Sequence, residues 1–261
     1  MTESGPAAAR IVPVNDLPAR GALSRDLPVP ASAMAIGAHP DDIEFGCGAT
    51  LAKWAAAGTV LHHVVLTDGA KGSWNPDQDP SVLVATRKEE QRRAATLLGG
   101  GDVTFLGRTD GELGNDPGTR WEVSRLLRLI RPDVVLAHDP WRRYRLHPDH
   151  RAAGFIVTDS IAAARDPHFF ADQDLPPHRP SALLLWEADE ANHLEDVTDF
   201  VETKVTALLA HESQFQSTMG IDGGAASEFD AFTGRIRDQL GQHGAIAELP
   251  YGESFHLMTD I

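Results

Sequence analysis

The chain has 261 residues, 42% of them hydrophobic and 23% charged, the composition of a globular protein long enough to bury a core without disulfide staples. Its net charge of −15 argues against a general binder of nucleic acid or other polyanions, because phosphate contacts need a basic face. A single cysteine rules out an intramolecular disulfide and favours a cytoplasmic setting, and no apolar run is long enough to cross a bilayer.

Residues 1–30 are rich in Pro and Ala, lack a secretory pattern and read as an N-terminal arm; Glu3 and Asp16 argue against an organelle leader. Residues 31–261 read as one domain. Residues 31–38 are short and apolar and end at Gly37-Ala38-His39-Pro40, the pattern of a buried strand. Residues 42–58 carry Leu51, Trp54 and Ala55 at helical spacing, with Gly58 as a stop. Residues 59–67 are β-branched and apolar, a second strand, and residues 68–80 form a loop of functional length. Residues 82–98 predict a helix closed by Gly99-Gly100-Gly101. A strand at 102–106, a helix at 120–130, a strand at 133–137 and a helix at 149–164 follow. Then come a strand at 182–186 and a helix at 199–214. Residues 217–244 are Gly-rich and ambiguous, and residues 245–258 return as a final strand or pack over the site. Alternating strands and helices predict an α/β, Rossmann-like, mostly parallel sheet flanked by helices, with its ligand at the carboxyl ends of the strands.

Three polar segments sit just after predicted strands: Ala38-His39-Pro40-Asp41-Asp42, Thr67-Asp68-Gly69, and His138-Asp139-Pro140 running to His147-Pro148-Asp149-His150. The strand-end rule gathers all three on one rim. His39 and Asp42 are three residues apart where a strand turns into a helix, so an imidazole and a carboxylate share one face; His147 and His150 have the same spacing. Two histidines and a carboxylate with an open position make a catalytic zinc site. Asp41 points elsewhere than Asp42 and is placed to act as base on the ion's water. Taken singly, a His-x-x-His is usually a solvated pair and Asp-Asp after Pro usually a helix cap; it is their convergence that speaks for function.

These segments resemble the LmbE-like/PIG-L family of zinc-dependent N-deacetylases. The resemblance extends to Arg87-Lys88-Glu89-Glu90, to His211-Glu212-Ser213-Gln214 and to Glu253-Ser254-Phe255. It implies His39, Asp42 and His150 as ligands of Zn2+, or of another divalent ion such as Fe2+, and Asp41 as general base. It implies that His147, protonated, steadies the tetrahedral intermediate and that Asp149 orients and charges His147. It suggests that Arg87 reaches the substrate. The expected activity is hydrolysis of an N-acetyl group on an amino sugar or amino-sugar conjugate. The chain departs from the family pattern in two places: Ile43 intervenes before Glu44, and Ala70-Lys71-Gly72 follows the second strand's loop.

Among other residues, Asp68, Arg143 and Trp141 are candidate substrate contacts, and Trp74 lies in a rim loop; Trp54, Trp121 and Trp186 are expected in the core. His138 is expected beside the ligands without being one, Cys47 as a small buried hydrophobe, and His211 has no assigned role. Two alternatives stay open: an amidase of the same family acting on a thiol conjugate or an antibiotic precursor, and a non-haem iron enzyme, which also uses two histidines and one carboxylate. A binding module that keeps the fold would be expected to lack a ligand or the base, and none is missing. Oligomeric state is not readable from the residues.

Overall fold

The computed structural model describes residues 23–261, so residues 1–22 of the expected arm lie outside the described residues. The strands are β1 (Ser24–Arg25), β2 (Ser32–Gly37), β3 (Val60–Thr67), β4 (Asp102–Arg108), β5 (Val134–His138), β6 (Ala182–Trp186), β7 (His193–Asp196) and β8 (Gly252–Met258). The helices are α1 (Asp42–Ala56), α2 (Pro80–Leu97), α3 (Pro117–Ile130), α4 (Pro148–Arg165), α5 (Val201–Leu209) and α6 (Ala226–Ala245).

One sheet runs in the order β1-β7-β8-β6-β5-β2-β3-β4. Every pairing is parallel except those of β8 with β6 and β7. The mostly parallel α/β architecture is therefore as expected. Its central strands are buried along their length, which is why β5 and β6 read as unbroken apolar runs rather than alternating ones. Alternation still decides the faces. Ala33 and Ala35 join Ile43, Leu51, Trp54 and Leu98 under α1 and α2, while Met34 and Ile36 join Val123, Leu127, Ile156 and Val157 under α3 and α4. Chain order runs outward from β2 to β3 and β4, then restarts at β5 on β2's other side. The crevice at that reversal is where such sheets hold ligands.

Several expectations need correction. The helix expected at 199–214 is a 3₁₀ turn, then α5 to Leu209, then a second 3₁₀ turn. The chain leaves the helix at Ala210 and His211 so that His211 turns into the interior, where it is fully buried. The ambiguous Gly-rich stretch contains the 20-residue helix α6, whose Phe232, Ile236 and Leu240 pack on Val201, Val205 and Leu208. β1 and β7 were not expected at all. Trp121 is half-buried rather than core, with its indole N–H donating to Asp172 at 2.8 Å. Trp54 and Trp186 are buried as expected.

Helix α1 is broken. Cys47 has non-helical angles (φ −150°, ψ 19°), which strands backbone groups on both sides. Glu253 from β8 accepts the N–H groups of Ala49 and Thr50 at 3.2 and 2.7 Å. Lys204 from α5 donates to the Phe45 carbonyl at 2.7 Å and to Glu253 at 2.7 Å. The break lets Gly46 lie flat on Trp186; a Cβ there would sit 2.5 Å from the indole.

Candidate active site

Short turns at strand ends deliver the polar segments to one cavity of about 500 Å³. Its floor holds His39, Asp41 and Asp42 from the turn after β2, Asp110 from the turn after β4, His138 from β5, and His147 and His150 from the start of α4.

His39 Nδ1 lies 3.2 Å from Asp42 Oδ2. His150 Nε2 lies 3.2 Å from Asp42 Oδ1 and 3.3 Å from His39 Nδ1. Tetrahedral ligands at about 2.1 Å from an ion stand about 3.4 Å apart, close to the separation of the two histidine nitrogens and of each from one or the other Asp42 oxygen. The donor set, two imidazoles and a carboxylate, is of zinc type and equally suits other divalent metals. On its far side, His39 Nε2 faces Asp149 Oδ2 at 3.1 Å and Asp110 Oδ1 at 3.2 Å. A carboxylate on that nitrogen sets the tautomer that turns the Nδ1 lone pair towards the other donors. Burial opposes a charged His39, but hydrogen bonds to Asp110, Asp149 and Asp42 outweigh it and push its pKa up to about 12.

Asp42 is buried, which opposes its charge, yet His150 and His138 hold its carboxyl well below the usual range. Trp186 donates its indole N–H to His138 Nδ1 at 3.0 Å, leaving His138 Nε2 to face Asp42 Oδ2 at 3.2 Å. An indole only donates, so the His138 proton sits on Nε2 and points at the carboxylate. His138, His150 and His147 stack in turn, with centroids 4.4 and 4.6 Å apart. Their ligand atoms also form overlapping groups, Asp42–His138–His150 and His39–His147–His150.

Asp41 occupies the N-cap position of α1 without capping it, at φ 101° and ψ −26°. That region is strained for a residue with a Cβ, and such strain collects at functional sites. Burial and the neighbouring Asp42 charge raise its carboxyl while Arg87 opposes them, leaving it at about 6.

The remaining expected residues divide. Arg87 is buried and its guanidinium is committed to the carbonyls of Pro40 (2.6 Å) and Gly69 (3.0 Å), with Asp41 Oδ2 at 3.4 Å, so it clamps two site loops as well as bordering the cavity. Asp149 was expected to orient His147. Instead its carboxylate holds His39 and accepts the N–H groups of Gly111 and Leu113, and it is the backbone N–H of Asp149 that donates to His147 Nδ1 at 3.3 Å. His147 was expected to be protonated. Burial and the nearby His39 and His150 lower its pKa while Asp149 and Asp42 raise it, and because Nδ1 accepts the Asp149 N–H the donor side of the ring is Nε2. Asp68 lies outside the cavity and accepts the N–H groups of Ala70 and Asp110, shaping the loop. Arg143 turns away to Asp189 at 3.2 Å, and Trp141 borders a neighbouring pocket with it. Arg145, not Arg143, lines the main cavity, against His150 and Glu187. Sequence reasoning missed Asp110, although it follows β4 just as His39 follows β2.

A doubly wound sheet with an imidazole–carboxylate cluster at its switch point is the arrangement of an enzyme that holds its ligand at the strand ends. Comparison with known proteins gives the family. Residues 34–161 match the family described as GlcNAc-PI de-N-acetylase, PIG-L. A diacetylchitobiose deacetylase of Thermococcus kodakarensis is 35% identical over 185 residues, 70% of this chain and 69% of that one. The solved N,N′-diacetylchitobiose deacetylase of Pyrococcus horikoshii superposes with a TM-score of 0.80 at 30% identity, covering 88% of this chain and 84% of that one. A 1D-myo-inositol 2-acetamido-2-deoxy-alpha-D-glucopyranoside deacetylase of Kineococcus radiotolerans is 30% identical over 57% of this chain, which spans 50% of that relative. The chain belongs to the PIG-L family. Among the described residues, no helix is long and apolar enough to cross a membrane.

Proposed function

We propose that the protein is a zinc-dependent N-deacetylase that hydrolyses the acetamide of an amino sugar or amino-sugar conjugate to acetate and a free amine. The observation that carries this reading is the meeting, in one cavity, of the His39–Asp42–His150 donor triangle with Asp41, a buried carboxylate released from helix capping. His39, Asp42 and His150 would hold the metal. Bound there, zinc would lower the pKa of water and polarise the amide carbonyl.

The chain's own groups supply the rest. Asp41 accepts a proton from the attacking water as its oxygen bonds to the carbonyl carbon. His147 donates a hydrogen bond from Nε2–H to the carbonyl oxygen as charge builds there. Asp41 then returns its proton to the amide nitrogen, the C–N bond breaks, and acetate and the amine leave. Arg87 keeps the Pro40 and Gly69 loops together around Asp41. Arg145 and Glu187 at the cavity wall are among the polar groups available to sugar hydroxyls. Residues 31–261 are taken as the catalytic domain and the cytoplasm as its compartment.

Metal content and amine release test the proposal together. Protein purified without added metal is assayed for zinc and iron, then offered GlcNAc, GlcNAc-inositol, chitobiose-type, thiol-conjugate and glycopeptide acetamides, with Asp41→Asn as control. About one zinc per chain and amine release abolished in the control support it. Activity that tracks iron and oxygen would replace it with the non-haem iron reading. Release from the thiol conjugate or glycopeptide alone would move the substrate while keeping the chemistry.

A further inference from the structure

Below the cavity floor, three polar side chains without a role in the reaction meet from separate elements. Glu44 of α1, Gln91 of α2 and His211 of the turn after α5 are all 0% exposed. Burying an acid, an amide and an imidazole together is costly unless they satisfy one another. Gln91 Nε2 donates to Glu44 Oε1 at 2.7 Å, and Gln91 Oε1 accepts the backbone N–H of Asp41 at 2.9 Å. The second oxygen of Glu44 faces His211 Nε2 at 3.3 Å. The chain of contacts therefore ends on the backbone of the residue held at φ 101°.

Two other helices also begin on an aspartate, each followed by a proline at the first helical position that favours extended backbone for the residue before it. Asp79 begins α2 at φ −65°, ψ 116° and accepts the Ser81 N–H; Asp116 begins α3 at φ −92°, ψ 157° and accepts the N–H groups of Gly118 and Thr119. Both are ordinary caps. Asp41 has the same position on α1 and the same side chain, yet makes no capping bond. Asp41 differs from them in preceding Asp42 rather than a proline, in the Arg87 guanidinium 3.4 Å from its carboxylate, and in the acceptor that Gln91 places on its N–H. We propose that Glu44, Gln91 and His211 are positioning residues that hold Asp41 out of the helix-capping conformation, leaving its carboxylate free to serve as base. Glu44 fixes the amide of Gln91, that amide fixes Asp41, and His211 lies against the second Glu44 oxygen at ion-pair distance without a hydrogen bond to it. The inference rests on the proposed role of Asp41, and it gives His211 and the displaced Glu44 a shared purpose.

The test is Gln91→Met, which keeps length and removes both amide bonds. In its crystal structure Asp41 is expected at negative φ, with its carboxylate on the first N–H groups of α1. Its kcat is expected to fall about 10²-fold, the usual effect of a misplaced catalytic group, with KM and bound metal per chain unchanged. The double variant Asp41→Asn/Gln91→Met is expected to be no slower than Asp41→Asn alone. The exchange Glu44→Gln/Gln91→Glu keeps a donor–acceptor bond between the two positions and an acceptor for Asp41, and should recover most of the rate. An Asp41 φ still near +100° in Gln91→Met, or a kcat within threefold of the parent, would overturn the proposal. So would loss of metal or folding in step with activity in both Gln91→Met and the exchange, which would make the network merely structural. If Asp41→Asn itself keeps full activity, the assigned base is wrong, and the φ of Asp41 still decides the positioning claim by itself.

Discussion

Replacing Lys204 by methionine should strip a buried carboxylate of its counter-ion while keeping most of the lysine's apolar stem. Lys204 is 4% exposed and Glu253 2%, so their charges are largely withdrawn from water. The ammonium makes two bonds of 2.7 Å, one to Glu253 and one to the Phe45 carbonyl beside the break in α1. Removing one partner of a buried pair costs about 3–5 kcal/mol, because the other charge stays behind. For a chain of this size that lowers Tm by roughly 6–20 °C. The double variant Lys204→Met/Glu253→Gln should regain part of the loss, because no uncompensated charge remains and glutamine keeps an acceptor for the Thr50 N–H. Urea melts followed by circular dichroism, with Tm by calorimetry, measure both. A Lys204→Met protein within about 1 kcal/mol of the parent, or a double variant less stable than the single one, would refute the reasoning.

His147→Ala should lower kcat by about 10²- to 10³-fold, as expected for loss of a donor to a developing oxyanion, while bound zinc measured by mass spectrometry stays the same. Arg145→Ala should raise KM and Arg143→Ala should leave kinetics unchanged; the opposite ranking would restore Arg143 as the substrate contact. Buried His63 has its pKa lowered by desolvation, so below about 6.5 the unfolded chain binds a proton that the folded one refuses. Stability should then fall with pH by up to about 1.4 kcal/mol per unit, and His63→Leu should flatten that slope in urea melts at pH 5 to 8. Deleting residues 1–30 should lower Tm below that of a chain cut after residue 22, measured by calorimetry. The longer cut removes β1, the Asp26–Lys53 ion pair at 2.6 Å and the Leu27 N–H bond to Glu195 at 2.8 Å.

What could be read in advance follows from what is local. His39 and Asp42 share one turn, and His147 and His150 another, so spacing alone gathers each pair, and the strand-end rule gathers the pairs. The buried strands announce themselves because both faces of β5 and β6 are covered. What could not be read depends on partners far along the chain. Arg143 and Arg145 look alike in sequence and are told apart by Asp189 and Glu187, which lie across the loop. Asp149 is two residues from His147, but its carboxylate is claimed by His39 and by two N–H groups of the Asp110 loop. Gln91 sits in an unremarkable helical pattern, and only the folded chain puts it under Asp41. β1 and β7 are two and four residues long, too short for alternation to register.

That brevity has a consequence for how the sheet ends. A flat margin with free N–H and C=O groups invites another chain to add a strand and keep adding. At one margin, among the described residues, the sheet offers just Ser24 and Arg25; Asp26 then turns at φ 47°, and Pro28 and Pro30, which have no N–H, continue the chain. At the other margin, Lys88 and Arg92 of α2 lie over the Phe105 ring of β4, with centroid distances of 5.6 and 5.3 Å, and set positive charge beside the open strand. Short length and proline at one margin, and positive charge beside the other, are the devices that discourage strand-by-strand growth.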